Sequence, residues 1–107
     1  MKIPNDAIIP ERKITQYLLV FQAKDDKSKF LAQAGFTQEN PDLLEAAIRD
    51  LANRVEAVVD DQNEYGTFFL VVGKINGTEN RKLSVITVWL QRAVDQKFQF
   101  ITLKPDK

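Results

Sequence analysis

Apolar positions along this chain change their period at residue 66. From Leu44 onward they fall at Leu44, Ala47, Ile48, Leu51, Ala52, Val55 and Val58, the i, i+3, i+4, i+7 spacing of one helical face. Glu45, Arg49, Asp50, Asn53, Arg54 and Glu56 occupy the opposite face. Asn40 is placed as an N-cap. Pro41 suits the first helical position, where the N–H that proline lacks would have no partner. Asp42 and Glu45 complement the positive end of the helix dipole. The pattern predicts a helix from Asn40 to Val58 or Val59, stopped by the polar run Asp60-Asp61-Gln62-Asn63.

After Gly66 the pattern is that of strands. Thr67 to Ile75 (TFFLVVGKI) is apolar on both faces, as in a central strand covered on at least one side. From Leu83 to Arg92, Leu83, Val85, Thr87 and Trp89 point one way, and Ser84, Ile86, Val88 and Leu90 the other. Asn76-Gly77-Thr78-Glu79-Asn80 joins these runs as a hairpin loop of the longer type. Past a turn near Val94-Asp95-Gln96, Phe98, Phe100 and Thr102 alternate with Gln99, Ile101 and Leu103. Pro105 ends the strand, having no N–H for the ladder.

The first third is less regular. Ile14, Tyr17 and Leu18 after Pro10 predict a short helix, although Leu18 to Phe21 also reads as a strand. Asp25 or Asp26 can cap a second helix that runs to Ala34 and buries Phe30, Leu31 and Ala34. Gly35 is then a left-handed residue past its end, with Phe36 folding back on the last turn. The expected architecture is α+β: N-terminal helices packed on one face of a three- to four-stranded antiparallel meander, with residues 1–107 as a single domain.

Composition narrows the chemistry. Having 44% hydrophobic and 28% charged residues in 107 is ordinary for a folded protein. MKIPNDAIIPERK has no continuous apolar stretch of a signal peptide, and no run is long enough to span a membrane, so a cytoplasmic protein is expected. The net charge is zero but unevenly spread. Residues 1–37 hold 6 basic and 4 acidic side chains, residues 38–65 hold 2 and 8, and residues 66–107 hold 7 and 3. Strong non-specific nucleic-acid binding is disfavoured by the neutral total, but a basic face on the sheet half is not.

Without histidine or cysteine, Ser-His-Asp, Cys-His and zinc-finger chemistry are closed to the chain. The four glycines are scattered and form no phosphate-cradling loop. Asp60, Asp61 and Glu64 lack calcium-loop spacing and read as an acidic turn. No metal or cofactor is expected. Tyr65, before Gly66 in the Asn63-Glu64-Tyr65-Gly66 turn, is either a packed structural ring or a stacking platform and proton donor. Lys24, Lys27 and Lys29 sit where a helix begins and where their charge opposes the dipole, which leaves room for anion binding. Trp89 belongs to the core if helices cover its face and to a binding surface if they do not.

Several segments together resemble a family of small bacterial domains of unknown function that is common in cyanobacteria. They are Lys13-Ile14-x-x-Tyr17-Leu18-Leu19, Lys27-x-x-Phe30 running to Gly35, Asn63-Glu64-Tyr65-Gly66, Val88-Trp89-Leu90 and Phe100-Ile101-Thr102-Leu103. At the level of fold that family is similar to RelE- and barnase-type ribonuclease toxins. The resemblance implies Lys27, Tyr65, Gly66, Trp89 and Thr102 as pattern positions. Many relatives carry a histidine beside the lysine, where this chain has Asp26.

Two functions follow as expectations. The leading one is a protein-interaction or regulatory module, working in a toxin–antitoxin-like cassette with a small protein from a neighbouring gene. The alternative is a metal-independent ribonuclease that binds RNA. It would use Lys27 as base or phosphate clamp, Arg92 as phosphate clamp, Tyr65 as stack or acid, and Thr102 as an orienting hydroxyl. The alternative requires these four residues to line one cleft.

Overall fold

The computed structural model of the chain describes residues 1–23 and 26–106. Helix α1 (Glu11–Lys13) runs directly into a turn of π-helix, Ile14–Leu18. Helices α2 (Ser28–Ala32) and α3 (Pro41–Arg54) follow, then strands β1 (Val58–Asn63), β2 (Gly66–Asn76), β3 (Lys82–Arg92) and β4 (Phe98–Pro105). A 3₁₀ turn, Thr78–Asn80, closes the loop between β2 and β3. The strands pair antiparallel in the order β1-β2-β3-β4, so the α+β architecture with N-terminal helices holds.

The fourth strand is not the N-terminal segment. It is β1, in residues whose pattern predicts a helix end and a polar turn. Val55 already leaves the helix with extended geometry (φ −112°, ψ 139°), and Val58 pairs with Leu70, Asp61 with Phe68 and Asn63 with Gly66. All six β1 residues are exposed, so no buried alternation marks the strand in the sequence. What makes it a strand is the row of backbone groups on β2 that needs partners. The N-terminal segment contributes one parallel bridge along β4. Ile8 N–H donates to the Phe98 carbonyl (2.8 Å), and Phe100 N–H donates to the Ile8 carbonyl (2.8 Å). Leu18, read as helix or strand, ends the π-helical turn, and no strand follows it before Ala23.

Helix α3 covers one face of the sheet. Leu44, Ile48 and Leu51 are fully buried with Val71, Ile75, Val85, Trp89, Phe100 and Leu103. Burying each such side chain stabilises the fold by about 1.5–3 kcal/mol. The two layers approach closely at Gly73, where a Cβ would meet the Leu51 and Val55 side chains. Trp89 is core. Its indole N–H donates to Thr87 Oγ1 (2.9 Å), Thr87 donates in turn to the Val71 carbonyl (2.9 Å), and Phe100 meets the ring edge-on. These bonds let a tryptophan and a threonine be fully buried without stranding a polar atom.

The expected β3 alternation holds, but that of β4 breaks. Phe100 pairs with Trp89 and Thr102 with Val88, leaving Ile101 as the extra residue of a β-bulge. Leu103 therefore joins the core opposite Thr87, and Thr102 stands on the face turned away from it.

The helix ends also depart in detail from their sequence signals. Asn40 does sit at the N-cap of α3, but its side chain turns backwards. Its Oδ1 accepts from Thr37 N–H (2.8 Å) and its Nδ2 donates to the Gly35 carbonyl (2.9 Å), and it makes no cap bond to α3. At α2 the N-cap is Lys27, not Asp26; Asp26 stands one residue earlier and accepts from Ser28 N–H (3.2 Å) and Ser28 Oγ (2.8 Å). Lys24 and Asp25 lie outside the described residues. Gly35 is left-handed (φ +86°), and Phe36 N–H returns to the Leu31 carbonyl (3.2 Å), as the sequence implies.

Candidate functional site

The bulge in β4 has a chemical consequence, because Thr102 meets Lys27 there. Lys27 precedes α2, a position fixed by Asp26 on one side and the buried Leu31 on the other. It is only 7% exposed, which is rare for lysine. Its ammonium donates to Thr102 Oγ1 (3.2 Å) and, more weakly, to the Tyr17 phenol oxygen (3.4 Å). It also lies 5.2 Å from the centroid of the Tyr17 ring, over its face. Lys13 adds a second cation over that ring, at 5.5 Å. A cation held against an aromatic face is stabilised by the ring quadrupole, by about 0.5–2 kcal/mol.

Tyr17 reaches this corner because the π-helical turn carries it. Ile14 and Leu18 anchor the turn in the core, and Tyr17 is left half-buried at its border. The ring faces a cleft of about 410 Å³ lined by Pro10, Arg12, Lys13, Gln16, Tyr17 and Gln99. This lining has two cationic side chains and no acidic one. A larger cleft, about 460 Å³, lies by α2 but carries Lys29 and Glu39 together and no tyrosine. Because the Tyr17 oxygen accepts a bond from Lys27, its own O–H proton is left to donate elsewhere.

The four residues nominated from sequence do not share one cleft, so a ribonuclease site built jointly from Lys27, Arg92, Tyr65 and Thr102 is not formed. Lys27 and Thr102 come together. Tyr65 is 67% exposed on the turn between β1 and β2, and its ring does not pack on the helix layer. Its N–H is held by Asn63 Oδ1 (2.9 Å), and its carbonyl accepts from Ala93 N–H (2.9 Å). Thr102 is three strands across from β1 and four residues along from Gly66 in register, which puts Tyr65 on the order of 15–20 Å away. Arg92 sits near Tyr65, paired with Asp95 through two of its nitrogens (Nε to Oδ1, 3.1 Å). That guanidinium holds the Asp95 carboxyl down at about 2, helped by the Lys97 N–H. Arg92 is joined to the cleft only indirectly, by donating to Gln99 Oε1 (3.3 Å).

Tyr17 is the residue that sequence reasoning passed over as a site. Its helical spacing with Ile14 and Leu18 reads as core, and the recurrence of lysines at 13 and 27 around it shows only in three dimensions. Asp26 is committed to the α2 start. The Ser28 hydroxyl, with the Gln22 and Ser28 backbone N–H groups, holds its carboxyl below the usual range. Among the described residues, no group of three acidic side chains is arranged to hold a metal. No helix among them is long and apolar enough to cross a membrane.

The fold is therefore that of a four-stranded antiparallel meander backed by helices, with a basic, tyrosine-bearing corner where the helices meet the last strand. By sequence, residues 2–107 match the family described as a domain of unknown function, DUF6883, and the chain belongs to it. No curated protein matches the sequence. Among solved structures, the fold is similar to a chain of a contact-dependent growth inhibition toxin–immunity protein complex from Klebsiella pneumoniae 342. That similarity covers 94% of this chain and all of the other, with a TM-score of 0.72 at 14% identity.

Proposed function

We propose that the chain is the RNA-cleaving, toxin-type member of a two-protein cassette, with its site at the Tyr17–Lys27–Thr102 corner. The observation that carries the reading is the nearly buried Lys27 ammonium, bonded to the Thr102 hydroxyl and the Tyr17 phenol beside a cleft lined by Arg12 and Lys13. The likeness of the fold to a chain of a toxin–immunity complex supports the cassette.

The chemistry available is transesterification within RNA. The ribose 2′-oxygen attacks the adjacent phosphorus, the bond from phosphorus to the 5′-oxygen breaks, and a 2′,3′-cyclic phosphate and a 5′-hydroxyl result. Arg12 and Lys13 hold the phosphate through charge-assisted bonds. Tyr17 gives its proton to the departing 5′-oxygen, while the 2′ proton passes to water. Lys27 and Thr102 are positioning residues that fix the phenol, since immobilising a donor removes the cost of orienting it during reaction.

The test is cleavage of a labelled RNA in excess chelator, with the product ends identified. Tyr17→Phe should lower the rate about 10²-fold or more, the range expected for loss of a proton donor. Lys27→Met should lower it strongly, and Lys27→Arg should restore part of it. A folded wild-type protein that cleaves no RNA, or a Tyr17→Phe variant with full activity, sinks the reading.

A further inference from the structure

Among the described residues, the side chains along the middle of the sheet face turned away from α3 are only partly buried, yet that centre is apolar. Successive rungs place Phe68 beside Leu90, Leu70 beside Val88 and Val72 beside Ile86. Five of these side chains are half-buried by one another, and Val72 is 43% exposed. A contiguous apolar face of this kind is uncommon on an isolated protein and marks an interaction surface. Its margin is basic: at one end of β2 and β3, Lys74 pairs with Ser84 and Lys82 with Asn76, and Lys104 lies beside Ile86. All three are exposed, and none is in an ion pair among the described residues. Asp61, paired with Phe68 on the outer strand, marks the opposite margin.

We infer that this face docks a folded, acidic protein, and that the docked partner covers the Thr102 side of the site. The inference rests on the two-protein part of the reading above. An apolar centre with a charged rim is the anatomy of a protein–protein interface. The rim lysines select a partner that presents carboxylates around an apolar patch, and they speed its approach. Single-stranded RNA fits this face poorly. Non-specific RNA binding needs aromatic platforms and a cationic track, whereas five of the six central side chains are aliphatic and the lysines lie at one end. Thr102 pairs with Val88 and Gln99 with Leu90, so a partner seated on the central rungs lies against the corner that holds Lys27 and Tyr17.

The test uses the full chain and, as probe, the purified product of the gene adjoining its own. Wild type should bind that protein, more weakly as salt is raised, and lose RNA cleavage in the complex. Val72→Glu should weaken binding at least 30-fold while leaving cleavage by the free chain unchanged. Combined Lys74→Glu, Lys82→Glu and Lys104→Glu should slow association at least 10-fold, and acid-to-lysine substitutions in the partner should restore it. Glu45→Gln on α3 should leave binding as in wild type. Melting curves establish that each variant is folded. The inference is overturned if the adjoining product does not bind, or if it binds both sheet-face variants as it binds wild type. It is equally overturned if Val72→Glu abolishes binding of a 30-nucleotide oligouridylate, which would make this an RNA surface. Should wild type cleave no RNA while docking shows the expected losses, the ribonuclease reading falls and the docking face stands.

Discussion

Two places in this protein combine a cation, a tyrosine and a hydrogen-bonding partner, and they are built in opposite ways. At the Lys27 corner the partners come from far along the chain: Tyr17 is 10 residues away and Thr102 is 75. At the Arg92 end they are local. Asp95 is three residues on, and Tyr65 is held by Asn63 two residues back. The first arrangement is nearly buried, and the second faces solvent. A buried cation interacts strongly because the local dielectric is low, and it needs every partner to be in place. An exposed ion pair is screened and contributes little. The contrast teaches that proximity in sequence is a poor guide to where this fold concentrates its chemistry.

The largest effect that would sharpen the contrast is structural, at the Arg92 end. Gly66 has φ +143°, and a Cβ there would collide with the Gln91 carbonyl oxygen. Gly66→Ala should destabilise the protein by about 2–3 kcal/mol, through strain and displaced backbone. A melt within error of wild type would show that the turn relaxes freely. Thr102→Val comes next. It removes the hydroxyl that Lys27 bonds while keeping the shape, and should cost about 1.5–2 kcal/mol, the lower part of the range for a hydrogen bond to a charged group. A neutral result in chemical denaturation would place the Lys27 ammonium elsewhere.

Smaller still is Tyr65→Ala. With its side chain mostly in solvent, it should change stability by less than about 0.5 kcal/mol and leave RNA cleavage as in wild type. A large loss of cleavage would move the site to the Arg92 end. The finest probe is titration of Asp95. Its folded value of about 2 lies below the ordinary 3.8 because the Arg92 guanidinium bonds the carboxylate. The stability this provides is complete above pH 3.8 and is lost as pH falls towards 2. Carbon-detected NMR should find the midpoint near 2, and Arg92→Gln should raise it towards 3.8. An unmoved midpoint in that variant would show that the pair does not form in solution.

Much of the fold was legible because burial imposes a period. The alternation of Leu83, Val85, Thr87 and Trp89 identifies the covered face of β3, and the stripe from Leu44 to Ala52 identifies α3. β1 was hidden because Val58–Asn63 buries nothing. Two valines continuing a helical stripe then outweighed a strand signal that lies wholly in backbone pairing. The proposed site was half legible. Lys27 stood out as a lysine against a helix dipole, and Thr102 stood at a pattern position. Tyr17 lay in one of the segments that carry the family resemblance, but its spacing gave no site signal, since i, i+3, i+4 spacing is the same for a core ring and for a ring at a cleft.

What the sequence determined by itself is local and periodic. It includes the α+β class, the helix and strand faces, the left-handed Gly35, the tight Gly66 turn and the exclusion of histidine and cysteine chemistry. Tertiary structure alone decided which apolar sheet face is covered, since Val71 and Val72 are equally hydrophobic and only α3 distinguishes them. It also decided that one extra residue in β4 turns Thr102 away from the core and towards Lys27. Such choices depend on which distant surfaces meet, and a contact between residues 75 apart leaves no period for the sequence to display.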